Sequence, residues 1–399
     1  MTNKDTGAAG TLKPDTQLVV AGRDPCAQHG FVNTPIYRGS TVLYPTADDF
    51  LKRNRRYTYG TRGTPTIDSL ETAWSELSGA AGTVVVPSGL AAITVALLSC
   101  LNAGDHLLVT DSVYRPTRNF CDNVLKRFGV TTTYYDPLIG AGIADLMQPN
   151  TRAVFTESPG SQSFEIQDVP AIAIAAHKHD AVVLLDNTWA TPLFFSPHEH
   201  GADIAIEAGT KYLGGHSDLL MGLVTANTRC WKALRDTFDN FAMCTSGEDA
   251  FLALRGLRTL SLRLQHHQAS ALAVAGWLAQ RPEVLRVMHP ALESDPGHAL
   301  WKRDFKGATG LFSVVLKPVP DVATHAFINA LKLFGIGASW GGFESLLIPF
   351  DCRDYRTATP WNPGGPTVRI HIGHEDVGDL IADLEQGFAA LARAVQSSS

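Results

Sequence analysis

The sequence lacks the features that identify membrane, secreted and nucleic-acid-binding proteins. It contains no run of ~18 consecutive apolar residues, which a transmembrane helix would need. Its 33 Lys and Arg residues against 39 Asp and Glu give a net charge of −6, without the basic balance typical of nucleic-acid binders. Segment 1–13 has no apolar core of a signal peptide. We therefore expect a cytoplasmic protein that binds neither membranes nor nucleic acid.

Cysteine is also scarce. The six cysteines are scattered and none forms a Cys-x-x-Cys pair, so we expect reduced thiols and no disulfide framework. Several histidine pairs have the spacing of metal ligands, but none belongs to a Cys/His cluster or a His-Glu-x-x-His helix. The sequence therefore predicts no metal site.

The pattern along the chain predicts three parts. The 399 residues, 45% of them hydrophobic, are enough for two or three domains of about 100–200 residues each. After an irregular, turn-rich N-terminal segment, short apolar strands alternate with helices, which predicts a mostly parallel sheet covered on both faces. The last third, which starts with a long helical stretch at 249–280, predicts a smaller α+β domain. We predict an arm over 1–64, a large α/β domain over 65–260 and a C-terminal domain over 261–399.

The first chemically informative segment is a strand-to-helix turn at 83–92. The predicted strand 83–86 is followed by Ser88 and Gly89, and a helix begins at once. Backbone N–H groups and the positive end of the helix dipole at such a turn attract phosphate. The segment is neither a Walker loop nor a Gly-x-Gly-x-x-Gly loop. By itself the segment favours an ordinary β–α turn.

Two charged residues follow other predicted strands. Asp186 comes directly after the apolar run 181–185, and Lys211 follows the run 203–206 and precedes a glycine pair. Ligands of open α/β sheets bind at the carboxyl ends of the strands, and a carboxylate buried there needs a cation or several donors. Taken alone, Asp186 could cap a helix, and Lys211 could be its partner in a structural ion pair.

Together these segments predict a pyridoxal phosphate site. The cofactor needs an anion cradle, a carboxylate for its pyridinium nitrogen and a lysine that binds its aldehyde. Tyr114, just beyond the predicted strand 107–110, adds an aromatic face that can stack on the ring. Gly89, Tyr114, Asp186 and Lys211 all follow strands of one predicted sheet. We therefore expect them at one edge of that sheet.

Longer motifs extend this interpretation to most of the chain. They include Thr156-Glu-Ser-Pro-Gly-Ser, Asp186-Asn-Thr-Trp, Thr210-Lys-Tyr-Leu-Gly-Gly-His-Ser-Asp, Ser339-Trp-Gly-Gly-Phe-Glu-Ser and Arg369-Ile-His-Ile-Gly. From Thr16 to about Leu391 the chain resembles the transsulfuration family of pyridoxal phosphate enzymes. The resemblance implies a fold-type I α/β structure, like that of aspartate aminotransferase, and a homotetramer with active sites shared between subunits.

The resemblance also implies roles for residues around the cofactor. Lys211 would bind the cofactor aldehyde and act as the catalytic base, while Asp186 would bind the pyridinium nitrogen and Tyr114 would stack on the ring. The phosphate would be held by groups that follow strands of the sheet: the N–H groups of Gly89 and Leu90 and the hydroxyl of Thr210.

The substrate residues implied by the resemblance come from the last third of the chain. Arg369, helped by Ser339, would bind the substrate α-carboxylate, and Trp340 would line the side-chain pocket. The implied reaction is β-elimination of L-cystathionine to homocysteine, pyruvate and ammonia. Cystine or cysteine desulfhydration, γ-elimination and γ-replacement remain alternatives, and a non-catalytic cofactor-binding protein is disfavoured because Lys211 stands in its full motif.

One position departs from the family pattern. In the family, a tyrosine that corresponds to Tyr59 reaches the cofactor phosphate of a neighbouring subunit, and an arginine usually follows two residues later. This chain has Thr61 at that place and an arginine only at Arg62. We expect Tyr59 to be the main phosphate contact from the partner subunit and Arg62 a secondary one.

Overall fold

The computed structural model describes residues 12–398, which form two β-sheets and thirteen α-helices. The strands, in chain order, are β1 (Gly82–Val86), β2 (His106–Thr110), β3 (Thr131–Tyr135), β4 (Thr151–Glu157), β5 (Val182–Asp186), β6 (Ile204–Glu207), β7 (Gly222–Ala226), β8 (Val284–Met288), β9 (Leu311–Leu316), β10 (Leu346–Phe350) and β11 (Thr367–His371). None of the helices within these residues is long and apolar enough to cross a membrane.

The helices surround both sheets. In chain order they are α1 (Pro14–Val20), α2 (Ala47–Lys52), α3 (Pro65–Ser78), α4 (Gly89–Leu98), α5 (Arg115–Phe120), α6 (Val169–His177), α7 (Thr191–Phe194), α8 (Trp231–Phe241), α9 (Gly247–Leu257), α10 (Leu260–Ala279), α11 (His298–Asp304), α12 (Asp321–Ala330) and α13 (Val377–Ser398).

The larger sheet has seven strands in the order β1-β7-β6-β5-β4-β2-β3. All neighbours are parallel except β7, which runs antiparallel to both β1 and β6. Consequently β1, β2, β4, β5 and β6 all end at the same edge. The prediction of a mostly parallel sheet in a fold-type I structure is confirmed, with β7 as a strand that the sequence pattern did not predict.

The larger sheet is covered on both faces, as the continuous burial of β1 shows. Val84 and Val86 of β1 pack in the core beneath α4 and α8, whereas Val85 packs with residues of α3 on the opposite face. Successive residues of a strand point to opposite faces of the sheet. Apolar residues buried at successive positions therefore mean that both faces are apolar and covered. Central strands such as β2 and β5 accordingly contain nearly unbroken runs of Val and Leu.

The smaller sheet has four antiparallel strands in the order β10-β11-β9-β8. Its core is formed by apolar side chains of α10, α12 and α13, among them Val274, Phe327 and Phe388. This sheet places β11, and with it Arg369, toward the edge of the larger sheet. The domain boundaries at residues 64 and 260 stay predictions; α3 begins at Pro65 and α10 at Leu260.

Several elements differ from those predicted. The helical stretch 249–280 is interrupted at Arg258 and Thr259, where the guanidinium of Arg258 donates to the backbone oxygens of Leu18 and Ala21 at 2.6 and 3.0 Å. The N-terminal arm contains two short helices, α1 and α2, and its residues 1–11 lie outside the described part. Tertiary contacts of this kind leave no local periodicity in the sequence.

Candidate active site

A cavity opens at the edge where the parallel strands end. The predicted site residues that line it are Gly89, Leu90, Tyr114, Asp186, Thr210, Lys211, Trp340 and Arg369. Ser339 joins them through a hydrogen bond to Lys211. The structure therefore brings together nine residues that are up to 280 positions apart in the sequence, from Gly89 to Arg369.

The turn between β1 and α4 forms one wall. Ser88 caps α4, because its hydroxyl accepts a hydrogen bond from the N–H of Ala91 at 3.1 Å. A Cβ atom on Gly89 would lie 2.8 Å from the Cβ of Ala208, so the close approach of the two segments requires glycine there. The free N–H groups at the start of α4 thus border the cavity and favour an anion.

Lys211 lies at the centre of the site. Its Nζ donates a hydrogen bond to Ser339 Oγ at 2.8 Å and lies 5.2 Å from the ring centroid of Trp340. Burial and the positive charge of Arg369 lower the pKa of Lys211 to about 8, although Asp186 acts in the opposite direction. Within residues 12–398, no ion pair joins Lys211 to Asp186. The alternative of a structural ion pair is therefore not what the structure forms.

Only one carboxylate oxygen of Asp186, at the end of β5, accepts hydrogen bonds from residues of the described chain. Its Oδ1 accepts hydrogen bonds from the N–H and the hydroxyl of Thr188 at 3.0 and 2.6 Å. Burial raises the pKa of Asp186, while the Thr188 bonds and the charge of Lys211 oppose this rise. Its Oδ2 has no hydrogen-bond partner in the described part of the chain. That oxygen is available to a cationic N–H group in the cavity.

Arg369 comes from β11 of the smaller sheet. Its Nη2 donates to the backbone oxygens of Ala338 and Ser339 at 3.1 and 3.0 Å, which fixes the plane of the guanidinium. Burial lowers the pKa of Arg369 to about 10, so the group keeps its charge at neutral pH. The other guanidinium N–H groups have no partner among residues 12–398 and can bind a carboxylate.

The loop 338–342 is pressed against the lysine segment. Gly341 has φ +85°, and a Cβ atom there would lie 2.9 Å from the backbone of Lys211 and Tyr212. The N–H of Gly341 donates to Nε2 of the buried His371 at 3.1 Å. No sequence pattern indicated a role for His371, since only the folded loop shows what its ring binds.

Tyr114 follows β2 and lines the cavity. The residue is 46% exposed, and its backbone N–H donates to Oε2 of Glu157 at 2.7 Å. Burial, together with Glu157 and Asp186, raises the pKa of Tyr114. Glu157 also lines the cavity and was missed as a site residue, although it stands in the quoted motif Thr156-Glu-Ser-Pro-Gly-Ser.

Tyr59 and Arg62 do not line this cavity within their own chain. Tyr59, 51% exposed, and Thr61 line a separate cavity that also contains Arg235. Arg62 forms an ion pair with Asp239, with its Nη1 2.6 Å from Oδ2. Their predicted contacts to the phosphate of a partner subunit stay predictions.

Comparison with known proteins identifies the family. The family model described as Cys/Met metabolism PLP-dependent enzyme matches residues 15–389. A Rhizobium johnstonii protein provisionally named a cystathionine beta-lyase is 54% identical to this chain, and the match covers 94% of this chain and 96% of that protein. The cystathionine beta-lyase MetC of Escherichia coli is 44% identical, and the match covers 95% of this chain and 99% of that protein. The crystal structure of metB from Corynebacterium glutamicum superposes with a TM-score of 0.88 at 31% identity and covers 96% of this chain and all of that one. The chain therefore belongs to the pyridoxal phosphate-dependent enzymes of cysteine and methionine metabolism.

Proposed function

We propose that this protein catalyses β-elimination of L-cystathionine to homocysteine, pyruvate and ammonia. The observation that carries the proposal is a single cavity lined by Lys211, Asp186, Trp340 and a buried arginine, Arg369; the lowered pKa of Lys211 supports it. The similarity to proteins named cystathionine beta-lyase supports the choice of substrate. No feature of the cavity favours one of the alternative eliminations.

The residues present fit pyridoxal phosphate. The unpartnered Oδ2 of Asp186 suits a protonated pyridine nitrogen, and the amine of Lys211 suits an aldehyde. Phosphate would be bound by the N–H groups at the start of α4 and by the Thr210 hydroxyl. That hydroxyl accepts the N–H of Met221 at 3.0 Å and donates its proton to the Met221 oxygen at 3.2 Å, so the proton would turn from Met221 to the phosphate. When bound, the cofactor supplies the electron sink that stabilises negative charge at the substrate Cα.

The protein's own groups would orient the substrate and move its proton. Arg369 binds the α-carboxylate through the guanidinium N–H groups that the protein leaves unpaired. Lys211 takes the Cα proton, which requires a neutral amine, and the buried cationic surroundings make that form accessible near neutral pH. The electron pair left at Cα then forms a Cα=Cβ double bond as the Cβ–S bond breaks, and the sulfur leaves with the bonding electron pair as a thiolate. One water molecule hydrolyses the unsaturated amine to pyruvate and ammonia. Trp340 lines the cavity, and we expect it to border the leaving group.

We further propose that the active enzyme is a homotetramer in which the arm of one subunit completes the site of another. Large apolar side chains of the arm are exposed in the single chain, including Phe31 at 70% and Leu43 at 80%, and Tyr59 lies among them in sequence. Exposed apolar side chains in one segment are typical of a protein interface. The cytoplasmic location stays a prediction.

Product analysis tests the proposed reaction. The purified protein, supplied with pyridoxal phosphate and L-cystathionine, is expected to form equimolar pyruvate and homocysteine, identified by mass spectrometry. Lys211→Ala is the control and should form neither product. Formation of 2-oxobutyrate and cysteine would instead establish γ-elimination, and a much higher kcat/KM for L-cystine would establish a desulfhydrase.

A further inference from the structure

Three carboxyl groups stand at the ends of three neighbouring strands. Glu157 ends β4, Asp186 ends β5 and Glu207 ends β6. Glu157 and Asp186 are direct partners across the parallel pair β4–β5, and both line the cavity. Glu207 is buried, and its Oε1 has no hydrogen-bond partner in the described chain. The proposed chemistry uses only Asp186.

The hydrogen-bond donors around these groups are distributed unequally. Asp186 receives two hydrogen bonds from Thr188, Glu157 receives a single one, and Glu207 receives none from residues 12–398. A buried carboxylate without donors or a cation is costly, and two adjacent carboxylates do not ionise together readily. Burial, and then the charge of Asp186, raises the pKa of Glu157 and of Glu207 well above the usual value.

The single bond that Glu157 accepts comes from Tyr114. The N–H of Tyr114 precedes the first turn of α5 and has no partner within that helix, and Oε2 of Glu157 accepts it at 2.7 Å. The Tyr114 ring lines the cavity from this backbone position. Oε1 of Glu157 bonds to no other described residue, so it can carry a proton without disturbing the bond to Tyr114.

We propose that Glu157 is a positioning residue that acts as a neutral carboxylic acid. Its Oε2 holds Tyr114 at the cavity, and its lack of charge leaves Asp186 as the carboxylate that faces the cofactor. The inference rests on the proposed pyridoxal phosphate chemistry but does not depend on which thioether is the substrate. A carboxylate at position 157 would compete with Asp186 for the same cation and would raise the cost of burying both.

Isosteric substitution separates the neutral from the charged form. The amide oxygen of Glu157→Gln can still accept the N–H of Tyr114, so kcat and KM are expected within about threefold of the wild type. Glu157→Ala removes the acceptor and should lower kcat by about tenfold or more while KM changes less, because Tyr114 loses its position. Glu207→Gln is the matched control: it alters a second buried carboxyl that does not contact Tyr114, and should leave both constants unchanged.

A spectroscopic titration of the holoenzyme gives a readout without any substrate. The titratable and charged groups that share the cavity with Glu157 are Tyr114, Asp186, Lys211 and Arg369. Removing a negative charge beside the cofactor would lower the pKa of its visible absorption change by about one unit or more. For Glu157→Gln we expect the pKa of the absorption change to move by less than about 0.3 units, because no charge is removed. Asp186→Asn, which does remove a charge, should alter the spectrum strongly.

Two results would overturn the inference. A spectral shift of about one unit in Glu157→Gln would show that Glu157 is ionised, and unchanged kinetics in a folded Glu157→Ala would show that it does not position Tyr114. Should Glu157→Ala fail to fold, Glu157→Leu gives the same comparison with more of the side-chain volume retained. The proposed function fails separately, if the wild-type protein releases other products from L-cystathionine.

Discussion

The pKa of Lys211 can be measured directly in the protein without cofactor. Burial and Arg369 lower it to about 8, and Asp186 raises it. At pH 7.5 a pKa of about 8 leaves roughly one quarter of the Lys211 side chains neutral, against about one in a thousand at the ordinary lysine value of ~10.4. The site therefore increases the fraction of reactive amine roughly 200-fold.

Two substitutions that should move the pKa of Lys211 in opposite directions test the origin of its shift. Arg369→Gln removes a positive charge and should raise the pKa of Lys211, and a rise of about one unit would reduce the neutral fraction at pH 7.5 about eightfold. Asp186→Asn removes a negative charge and should lower the pKa further. Because the two residues lie in the same cavity, a general loosening of the structure would shift both variants in the same direction.

Competitive acylation provides the assay. The protein without cofactor is labelled with trace acetic anhydride between about pH 6 and 11, a range that brackets the ordinary lysine pKa of ~10.4. The peptide containing Lys211 is then quantified by mass spectrometry against the average of all lysines. A wild-type midpoint near ~10.4, or shifts of the same sign in Arg369→Gln and Asp186→Asn, would refute the electrostatic account of Lys211.

Further substitutions test the other assigned roles. Asp186→Asn should retain some cofactor but lose on the order of 10²-fold or more in kcat, whereas an unchanged rate would place the pyridinium partner elsewhere. Arg369→Leu should cost about 2–5 kcal/mol in kcat/KM, mainly through KM, because the substrate carboxylate loses its partner. Trp340→Leu should change the ratio of cystathionine to cystine turnover with little change in Tm. Cofactor titration of the apo forms should show a larger affinity loss for Tyr59→Phe than for Arg62→Ala, since Arg62 already pairs with Asp239; the reverse order would contradict the assignment.

The half of the site that lies on the larger sheet could be predicted from local sequence. Gly89, Asp186 and Lys211 each follow an apolar run, and the carboxyl ends of parallel strands meet at one edge. Their proximity is therefore a consequence of topology, which the alternation of strands and helices already indicates. Given that proximity, a phosphate-binding turn, a carboxylate and a lysine were enough to predict the cofactor.

The other half could not be obtained in this way. Arg369 lies inside β11, an ordinary buried strand of a different sheet, and Ser339 lies in a loop without a periodic pattern. Only the resemblance to a known family suggested their roles. His371 and Glu157 were not predicted as site residues, because their place in the site depends on hydrogen bonds from the backbone N–H groups of Gly341 and Tyr114, and a sequence does not show where such bonds form.

These contacts link substrate binding to the strength of the base. Arg369 holds the backbone of Ala338 and Ser339, Ser339 accepts the hydrogen bond of Lys211, and Gly341 packs against the Lys211 backbone. The guanidinium that we propose as the partner of the substrate carboxylate is also a cation that lowers the pKa of the lysine. We expect a bound carboxylate to neutralise Arg369 and so to weaken that effect. The proton affinity of Lys211 would then rise, and its amine would become a stronger base with the substrate in place. Arg369 would therefore influence Lys211 differently in two states. In the free site its charge favours the neutral amine. After a substrate carboxylate has paired with it, Lys211 would hold a proton more firmly.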